Sequence, residues 1–199
     1  MSAARILYRT RQFWQFLRLV PTEQELEGVR SVLNPAQLDL FFRMQPGEQS
    51  HSIRVYTTLV EAGENNPHLL AAALLHDIGK TRYHLKPWER ALAVIGKLIF
   101  PHLSRQWSTI ELKDPQHAEI WKRPFVVAEQ HPDWGAKLAG QAGASKCTVS
   151  LIRRHQESLP RRTQMGTTGN VNEPKPDQEE TRKLEDWLLQ KLQAADNES

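Results

Sequence analysis

The adjacent residues His76 and Asp77 are ionisable, yet they lie where the sequence predicts a buried helix. They end the apolar run Leu69–Leu75, whose three alanines favour close packing against neighbouring elements. An ionised carboxylate buried without a partner costs on the order of several kcal/mol, so Asp77 needs a positive charge nearby. The nearest Lys or Arg in the sequence is Lys80. A bound cation is therefore one expected partner of this pair.

His51 and Asp196 are also expected to point inward. Val55 and Leu59 follow His51 at helical spacing, and Asp196 follows Leu192 on the apolar face of the last expected helix. Two histidines and two carboxylates in one helical core are typical ligands of a divalent metal such as Zn, Mn, Fe or Co. Taken singly, each residue has an ordinary explanation as a core histidine, a turn cap or a frayed helix end. Only the combination predicts a metal site.

Apolar residues recur at helical spacing along nearly the whole chain, and no segment alternates convincingly at the strand period. Thr22 with Glu25, and Asn34 with Pro35, predict helix starts. The expected helices are, by residue number, 4–19, 22–32, 34–44, 49–62, 65–78, 87–99, 132–142, 145–155 and 179–196. Residues 158–178, rich in Pro, Gly, Thr and Asn, predict a flexible loop. The fold class is therefore predicted to be all-α.

The composition is typical of one globular domain. A chain of 199 residues with 39% hydrophobic residues can bury its own core, and the single cysteine, Cys147, cannot form an internal disulfide. No apolar run reaches the roughly 20 residues that span a bilayer, and the N-terminus lacks the pattern of a secretory signal, so a cytoplasmic location is expected. The net charge of +3 favours anionic partners without identifying one. The basic, aromatic segment 4–19 could make a peripheral membrane contact.

The segment Leu74–Lys80 resembles the signature of the HD superfamily of metal-dependent phosphohydrolases, whose pattern is a His, a His-Asp pair and a distant Asp. His51–Val55 is similar to the first-histidine helix of that superfamily, and Gln193–Asp196 is similar to its closing Ala-Asp element. The resemblance implies a single-domain helical bundle of the HD-domain type. It assigns the core metal-ligand roles to His51, His76, Asp77 and Asp196.

Two further histidines extend the resemblance. His131, followed by Pro132 and Gly135, is similar to a His-x-x-x-Gly element, and His155 is similar to the histidine that closes the next helix. The resemblance implies that both bind a second metal or contact the phosphate; alternatively, each caps or hydrogen-bonds a helix end. With two ions, Asp77 is the expected bridge, because a carboxylate has two oxygens to share. The expected cofactor is accordingly one or two divalent ions of Mn, Fe, Zn, Co or Mg.

The chemistry implied is hydrolysis of a phosphate ester by a metal-activated water. Asp77 and Lys80 are the predicted catalytic residues, while Lys80 and Arg154 are the predicted contacts of the substrate phosphate. Lys80 is equally well explained as a charge that complements a helix C-terminus, and Arg154 as a solvated side chain. The expected partner is a small phosphorylated substrate, either a nucleotide or another metabolite.

The domain organisation is predicted as helices within 1–45 that pack on or flank the core, followed by the phosphohydrolase domain in 46–199. That domain contains a variable middle insert, 81–127, and the flexible loop 158–178. Both are expected to influence substrate choice, although the insert could equally pack on the core.

Two other functions are compatible with the sequence. A catalytically silent protein of the HD fold could bind or regulate a partner, but the complete ligand set argues against it. Nucleic-acid binding is suggested only by net charge, and without a recognisable module or a basic stripe it is not expected. No Gly-Tyr-Pro element follows His155, and Arg154 stands where the cyclic-dinucleotide branch has a second histidine, so that activity is not supported. Nothing in the sequence indicates an oligomeric state.

Overall fold

In the computed structural model, the described residues are 20–86, 88–89, 121–157 and 176–199. Within these ranges the chain forms seven α-helices, one short 3-10 helix and no strand. The α-helices are α1 (Glu23–Val32), α2 (Pro35–Phe42), α3 (Pro46–Glu61), α4 (Pro67–Leu75), α5 (Arg123–Gln141), α6 (Lys146–Arg154) and α7 (Pro176–Glu198). The 3-10 helix (Ile78–Arg82) lies between α4 and α5 in the sequence. The prediction of an all-α fold is confirmed.

Several helix starts follow directly from local side-chain chemistry. Thr22 and Glu25 form a reciprocal capping box at α1, and Asn34 forms one at α2 ahead of its first-turn proline. The Ser145 side chain accepts a hydrogen bond from the Thr148 amide at the start of α6. Such caps satisfy amide groups that have no partner within the helix. These starts agree with the sequence prediction.

Helix α4 lies at the centre of the bundle. All residues of Leu69–Leu75 are buried, and the helix contacts α1, α2, α3, α6 and α7. Its start is set by Asn66, whose side chain accepts hydrogen bonds from the amides of His68 and Leu69. Each fully buried leucine side chain contributes about 2 kcal/mol through burial. This packing gives a rigid support for the His76–Asp77 pair that follows the helix.

Helix α4 ends at Leu75, so the expectation of a helix through Ile78 is wrong. The chain instead enters the 3-10 helix, which packs tightly against α5. A Cβ atom at Gly79 would lie only 1.9 Å from the carbonyl oxygen of His131. Glycine is therefore required at this close backbone contact, which the α4 periodicity alone does not reveal.

Two other predicted helix starts also need correction. Helix α5 does not begin at Pro132 but at Arg123, and Pro132 is a buried residue within it. A proline removes one helical hydrogen bond. The buried apolar turn Phe125–Val127 packs well enough for the helix to continue through Pro132 despite this loss. Helix α3 begins at Pro46 rather than Gln49, because proline fits the first helical turn.

Some expectations fall outside the described residues. These are the helix at 4–19, with its suggested membrane contact, nearly all of the helix at 87–99, and all but the last three residues of the loop at 158–178. Within the described ranges, no helix combines the length and apolar character needed to cross a membrane. Val29 of α1 and Phe41 of α2 belong to the same hydrophobic cluster as Leu74. The division into 1–45 and 46–199 stays a prediction.

Candidate metal centre

Six ionisable side chains from distant parts of the sequence meet in one cluster. His51 comes from α3, His131 from α5 and Asp196 from α7, while the other three follow the ends of α4 and α6. The six are His51, His76, Asp77, His131, His155 and Asp196. Each was predicted from the sequence as a metal ligand, and the structure brings all of them together.

His51, His76 and Asp196 form what we call the outer side of the cluster. The Nε2 atom of His51 donates a hydrogen bond to Asp196 Oδ1 at 2.8 Å, and His76 Nε2 lies 3.6 Å from the same oxygen. The His51 and Asp196 side chains are 18% and 30% exposed. Solvent therefore reaches this side of the cluster.

Asp77, His131 and His155 form the inner side. His131 Nε2 lies 3.3 Å from Asp77 Oδ1 and 3.3 Å from His155 Nε2. All three residues are buried. One ligand atom from each lies within 4.8 Å of the others, and the same holds for Asp77 with His51 and His76. Asp77 thus belongs to two potential metal-binding groups and connects the outer and inner sides.

Backbone hydrogen bonds orient three of the histidine rings. The Nδ1 atoms of His76, His131 and His155 lie 2.9, 3.0 and 2.7 Å from the carbonyl oxygens of Ala73, Val127 and Ile152. A carbonyl oxygen only accepts, so Nδ1 carries the proton in each ring. In the neutral ring Nε2 then presents its lone pair to the cluster, which is the orientation that histidine ligands of metals adopt.

Among the described residues, the Nε2 lone pairs of His76 and His155 lack a hydrogen-bond donor, and the donor nearest to that of His131 is the Gln156 amide at 3.5 Å. The Nε2 atom of His76 is buried and has no hydrogen-bond partner in the part of the chain that the structure describes. The Nε2 atoms of His131 and His155 face each other at 3.3 Å, although both are acceptors in the neutral rings. A cation between such atoms would satisfy them, and nitrogen and carboxylate donors suit borderline divalent ions. The residues present therefore fit a metal ion.

Burial and neighbouring charges shift the pKa values of Asp77, His76 and His155. Burial raises the pKa of Asp77, but the Lys80 ammonium and the His76 and His131 rings outweigh burial and hold that pKa well below its ordinary value. Burial lowers the pKa of His76. It lowers the pKa of His155 to about 3, with a further contribution from the His76 and His131 rings. Metals bind neutral imidazole and ionised carboxylate, so these shifts favour metal binding near neutral pH.

The two predicted substrate-binding side chains occupy different surroundings. Lys80 Nζ lies 2.6 Å from Asp77 Oδ2, and its side chain is 32% exposed at the edge of the cluster. Arg154 is not part of the cluster, and its guanidinium donates hydrogen bonds to Asp186 and Glu157. The contact with Asp186 joins the end of α6 to α7. Lys80 is thus beside the proposed ligands, whereas Arg154 is engaged in ion pairs.

Sequence reasoning missed two glutamines that support the cluster. The Gln193 side chain donates hydrogen bonds to the carbonyl oxygens of His155 and Glu157, which fixes the end of α6 against α7. Gln156 Nε2 lies 3.5 Å from His131 Nε2. A signal was available for Gln193, because it precedes Asp196 by three residues and shares a helix face with it. Gln156 had no comparable signal.

A comparison with known protein families agrees with this geometry. The family model described as HD domain matches residues 49–198, which include all six clustered side chains. No curated protein and no solved structure gives a significant match to the chain. The family match covers most of the sequence and begins two residues before the first proposed ligand. The chain therefore belongs to the HD superfamily of metal-dependent phosphohydrolases.

Proposed function

We propose that this protein is a metal-dependent phosphohydrolase whose active site is the cluster of His51, His76, Asp77, His131, His155 and Asp196. The observation that carries the proposal is the buried His76 Nε2 atom, which is oriented into the cluster and finds no hydrogen-bond partner among the described residues. Leaving a buried polar atom unpaired costs about 1–3 kcal/mol. A ligand bond to a divalent cation would remove that cost.

We further propose two ions rather than one. Asp77 belongs to both potential metal-binding groups, with His51 and His76 on the outer side and with His131 and His155 on the inner side. Its two oxygens lie toward different neighbours: Oδ1 is 3.3 Å from His131 Nε2, and Oδ2 is 3.7 Å from His76 Nε2. This arrangement supports a bridging role for the carboxylate, whose Oδ2 also lies 2.6 Å from Lys80 Nζ.

When bound, a divalent ion supplies a nucleophile near neutral pH by lowering the pKa of a water molecule, and it offsets charge on the phosphoryl group. The protein's own contribution is positioning. Backbone carbonyls hold the rings of His76, His131 and His155, and the packed α4 helix holds Asp77. The exposed fraction of His51 and Asp196 leaves the outer side open to a substrate.

Lys80 is the proposed contact for the substrate phosphate and the second catalytic residue. Its ammonium is one-third exposed and adjoins the Asp77 carboxylate, so it can contact a phosphoryl oxygen that reaches the outer side. A charge-assisted hydrogen bond of this kind is roughly twice as strong as a neutral one. The proposed substrate is a nucleotide or another small phosphorylated metabolite.

The predicted substrate contact of Arg154 stays a prediction. Its guanidinium would have to leave Asp186 and Glu157, or contact the substrate while still paired with them. Replacing Arg154 with Gln distinguishes these roles. A higher KM with unchanged unfolding free energy would support a substrate contact, whereas a stability loss of up to about 1 kcal/mol with unchanged KM would indicate a purely structural ion pair.

The decisive experiment combines metal analysis with a phosphatase screen over nucleotides and sugar phosphates. Wild-type protein is expected to contain a divalent metal and to hydrolyse at least one ester. His76→Gln should lose both properties, while His68→Gln, in the first turn of α4 and outside the cluster, should keep both. Metal without turnover on any ester would favour the catalytically silent binding protein, and a metal-free wild type would refute the proposed centre.

A further inference from the structure

A cavity separate from the metal centre lies between α2, the 3-10 helix and α5. Its volume is about 340 Å³, within the range of pockets that bind small molecules. Three apolar and three basic side chains dominate its lining: Leu40, Trp134 and Leu138, with Arg43, Arg82 and Lys137. None of the six proposed metal ligands lines this cavity. It is therefore a different site from the metal centre.

The cavity carries uncompensated positive charge. Arg43 forms an ion pair with Asp39. Among the described residues, neither Arg82 nor Lys137 forms an ion pair with a carboxylate. Both side chains are exposed, so a ligand can reach their charges. The lining thus offers two cationic groups to an anion.

Aromatic packing holds one of these cations in place. The Arg82 guanidinium carbon lies 4.9 Å from the centroid of the Trp134 ring and 5.9 Å from that of Tyr83. The two rings lie 5.5 Å apart. Stacking restricts the guanidinium plane but leaves its N–H groups able to donate, which favours paired hydrogen bonds to a phosphate or carboxylate.

Apolar surface lies beside the charges. Leu40 is 7% exposed, and Trp134 and Leu138 are half-buried. An aromatic or aliphatic group packed against these side chains would bury apolar surface. Removing about 100 Å² of apolar surface from water contributes about 2.5 kcal/mol. The cavity therefore suits a ligand with both an anionic group and an apolar body.

We propose that this cavity binds a small organic anion, whose phosphate-like group contacts Arg82 and Lys137 and whose apolar body packs against Leu40, Trp134 and Leu138. The site is independent of the metal centre. Binding there requires neither a metal ion nor hydrolysis of the ligand.

Benzylphosphonate is a suitable probe, because its carbon–phosphorus bond resists phosphohydrolases. Titration of the full-length, metal-loaded protein is followed by NMR at the indole N–H of Trp134. The chain has six tryptophans, and the Trp134 signal is assigned by its loss in Trp134→Phe. We expect a saturable shift of this signal in the millimolar range or below. Inorganic phosphate, which lacks the apolar body, should bind at least about tenfold more weakly, and benzyl alcohol, which lacks the charge, should not saturate.

Matched lysine variants locate the binding. Lys137→Glu should raise the Kd for benzylphosphonate by about tenfold or more, since a charge-assisted hydrogen bond is lost. Lys146→Glu makes the same change of charge at an exposed lysine outside the cavity and should leave the Kd within about twofold. No saturable shift in wild type, or equal weakening in both variants, would overturn the proposal.

Asp77→Asn separates this proposal from the proposed function. The variant alters a proposed metal ligand but no cavity residue, so the Trp134 titration should be unchanged. Loss of the titration in Asp77→Asn would show that the ligand binds through the metal centre, and the cavity proposal would fall. Failure of the proposed function would instead be seen as missing metal and turnover in a wild type that still binds benzylphosphonate.

Discussion

The outer and inner sides of the cluster contain similar ligands in different surroundings. The outer side combines His51 and Asp196, which are 18% and 30% exposed, with the buried His76. The inner side consists of Asp77, His131 and His155, all of them buried. Both sides can offer nitrogen and oxygen donors to a cation, but only one of them faces solvent.

This difference separates two tasks of a hydrolytic site. A partly exposed side can exchange water and admit a phosphate, whereas backbone contacts on the buried side keep its two histidine rings oriented. Asp77 belongs to both, so a change there should affect the whole cluster. Substituting a ligand on one side should mainly weaken metal binding on that side.

The largest effect is expected for Asp77→Ala, which removes the shared carboxylate. Removing a residue that only hydrogen-bonds to a metal ligand typically lowers activity by about 10–100-fold. Removing the ligand itself should therefore lower activity by more than about 100-fold. Turnover should fall below detection while most of the helicity, measured by circular dichroism, remains. Asp133→Ala, at an exposed position of α5, is the matched control and should retain turnover. Activity in Asp77→Ala would contradict the assigned role.

The next effect concerns the support of the inner side. Gly79→Ala would place a Cβ atom 1.9 Å from the His131 carbonyl oxygen, so the 3-10 helix and α5 must separate. We expect a loss of about 3 kcal/mol or more in the free energy of unfolding, measured with urea.

Gly140→Ala provides the control on α5. The nearest atom to its added Cβ is a Val149 methyl group at 3.6 Å, an ordinary contact. Alanine should there stabilise the helix by about 0.5–1 kcal/mol. Equal stability changes in the two variants would show that the close contact at Gly79 is not a constraint.

Chelation kinetics compares the two sides directly. With two ions, a colorimetric chelator should remove metal from wild type in two phases, the faster from the exposed outer side. His51→Ala should lose the fast phase and His155→Ala the slow one, with affinity for the affected ion reduced by at least about tenfold. A single phase in wild type would indicate one ion and would remove the distinction between the sides.

The last expected effect, small near neutral pH and growing in acid, is a pH dependence of the metal-free protein. Burial, with the neighbouring rings, lowers the pKa of His155 to about 3 in the folded state, against 6.5 ordinarily. Between those values only the unfolded chain binds the proton, so the unfolding free energy falls as the pH drops below about 6.5. The contribution is at most about 1.4 kcal/mol per pH unit and vanishes above pH 6.5.

Urea denaturation in the presence of a chelator measures this slope. Replacing His155 with Gln removes one of the titrating groups and should reduce the dependence between about pH 6.5 and 3. An unchanged slope in that variant would show that His155 is not the group responsible.

Much of the proposed centre was visible in the sequence, because polar residues on apolar helix faces are conspicuous. His51, Asp196 and the His76–Asp77 pair were found in this way, and the family resemblance added His131 and His155. The contacts that bring them together were not visible. The end of α4 depends on the Gly79 backbone meeting His131, and the continuity of α5 through Pro132 depends on packing. Such contacts join residues far apart in the chain, and the local periodicity of a sequence cannot predict them.

The cavity beside Trp134 could not be predicted from the sequence for the same reason. Trp134 and Arg82 lie on different elements, and each alone is an ordinary surface residue. Only their stacking in the folded chain indicates a shared site.

The hydrogen bond between His51 and Asp196 joins residues 145 positions apart. An ion held by both would act as a reversible cross-link that exists only once the bundle has assembled, because an unfolded chain rarely brings such distant residues together. Anything that binds the folded form alone shifts the folding equilibrium, by about 2.7 kcal/mol when its free concentration is a hundred times its Kd. The melting temperature of this protein would then depend on the supply of trace metal around it, and starvation for the metal would reduce the amount of folded protein as well as its activity.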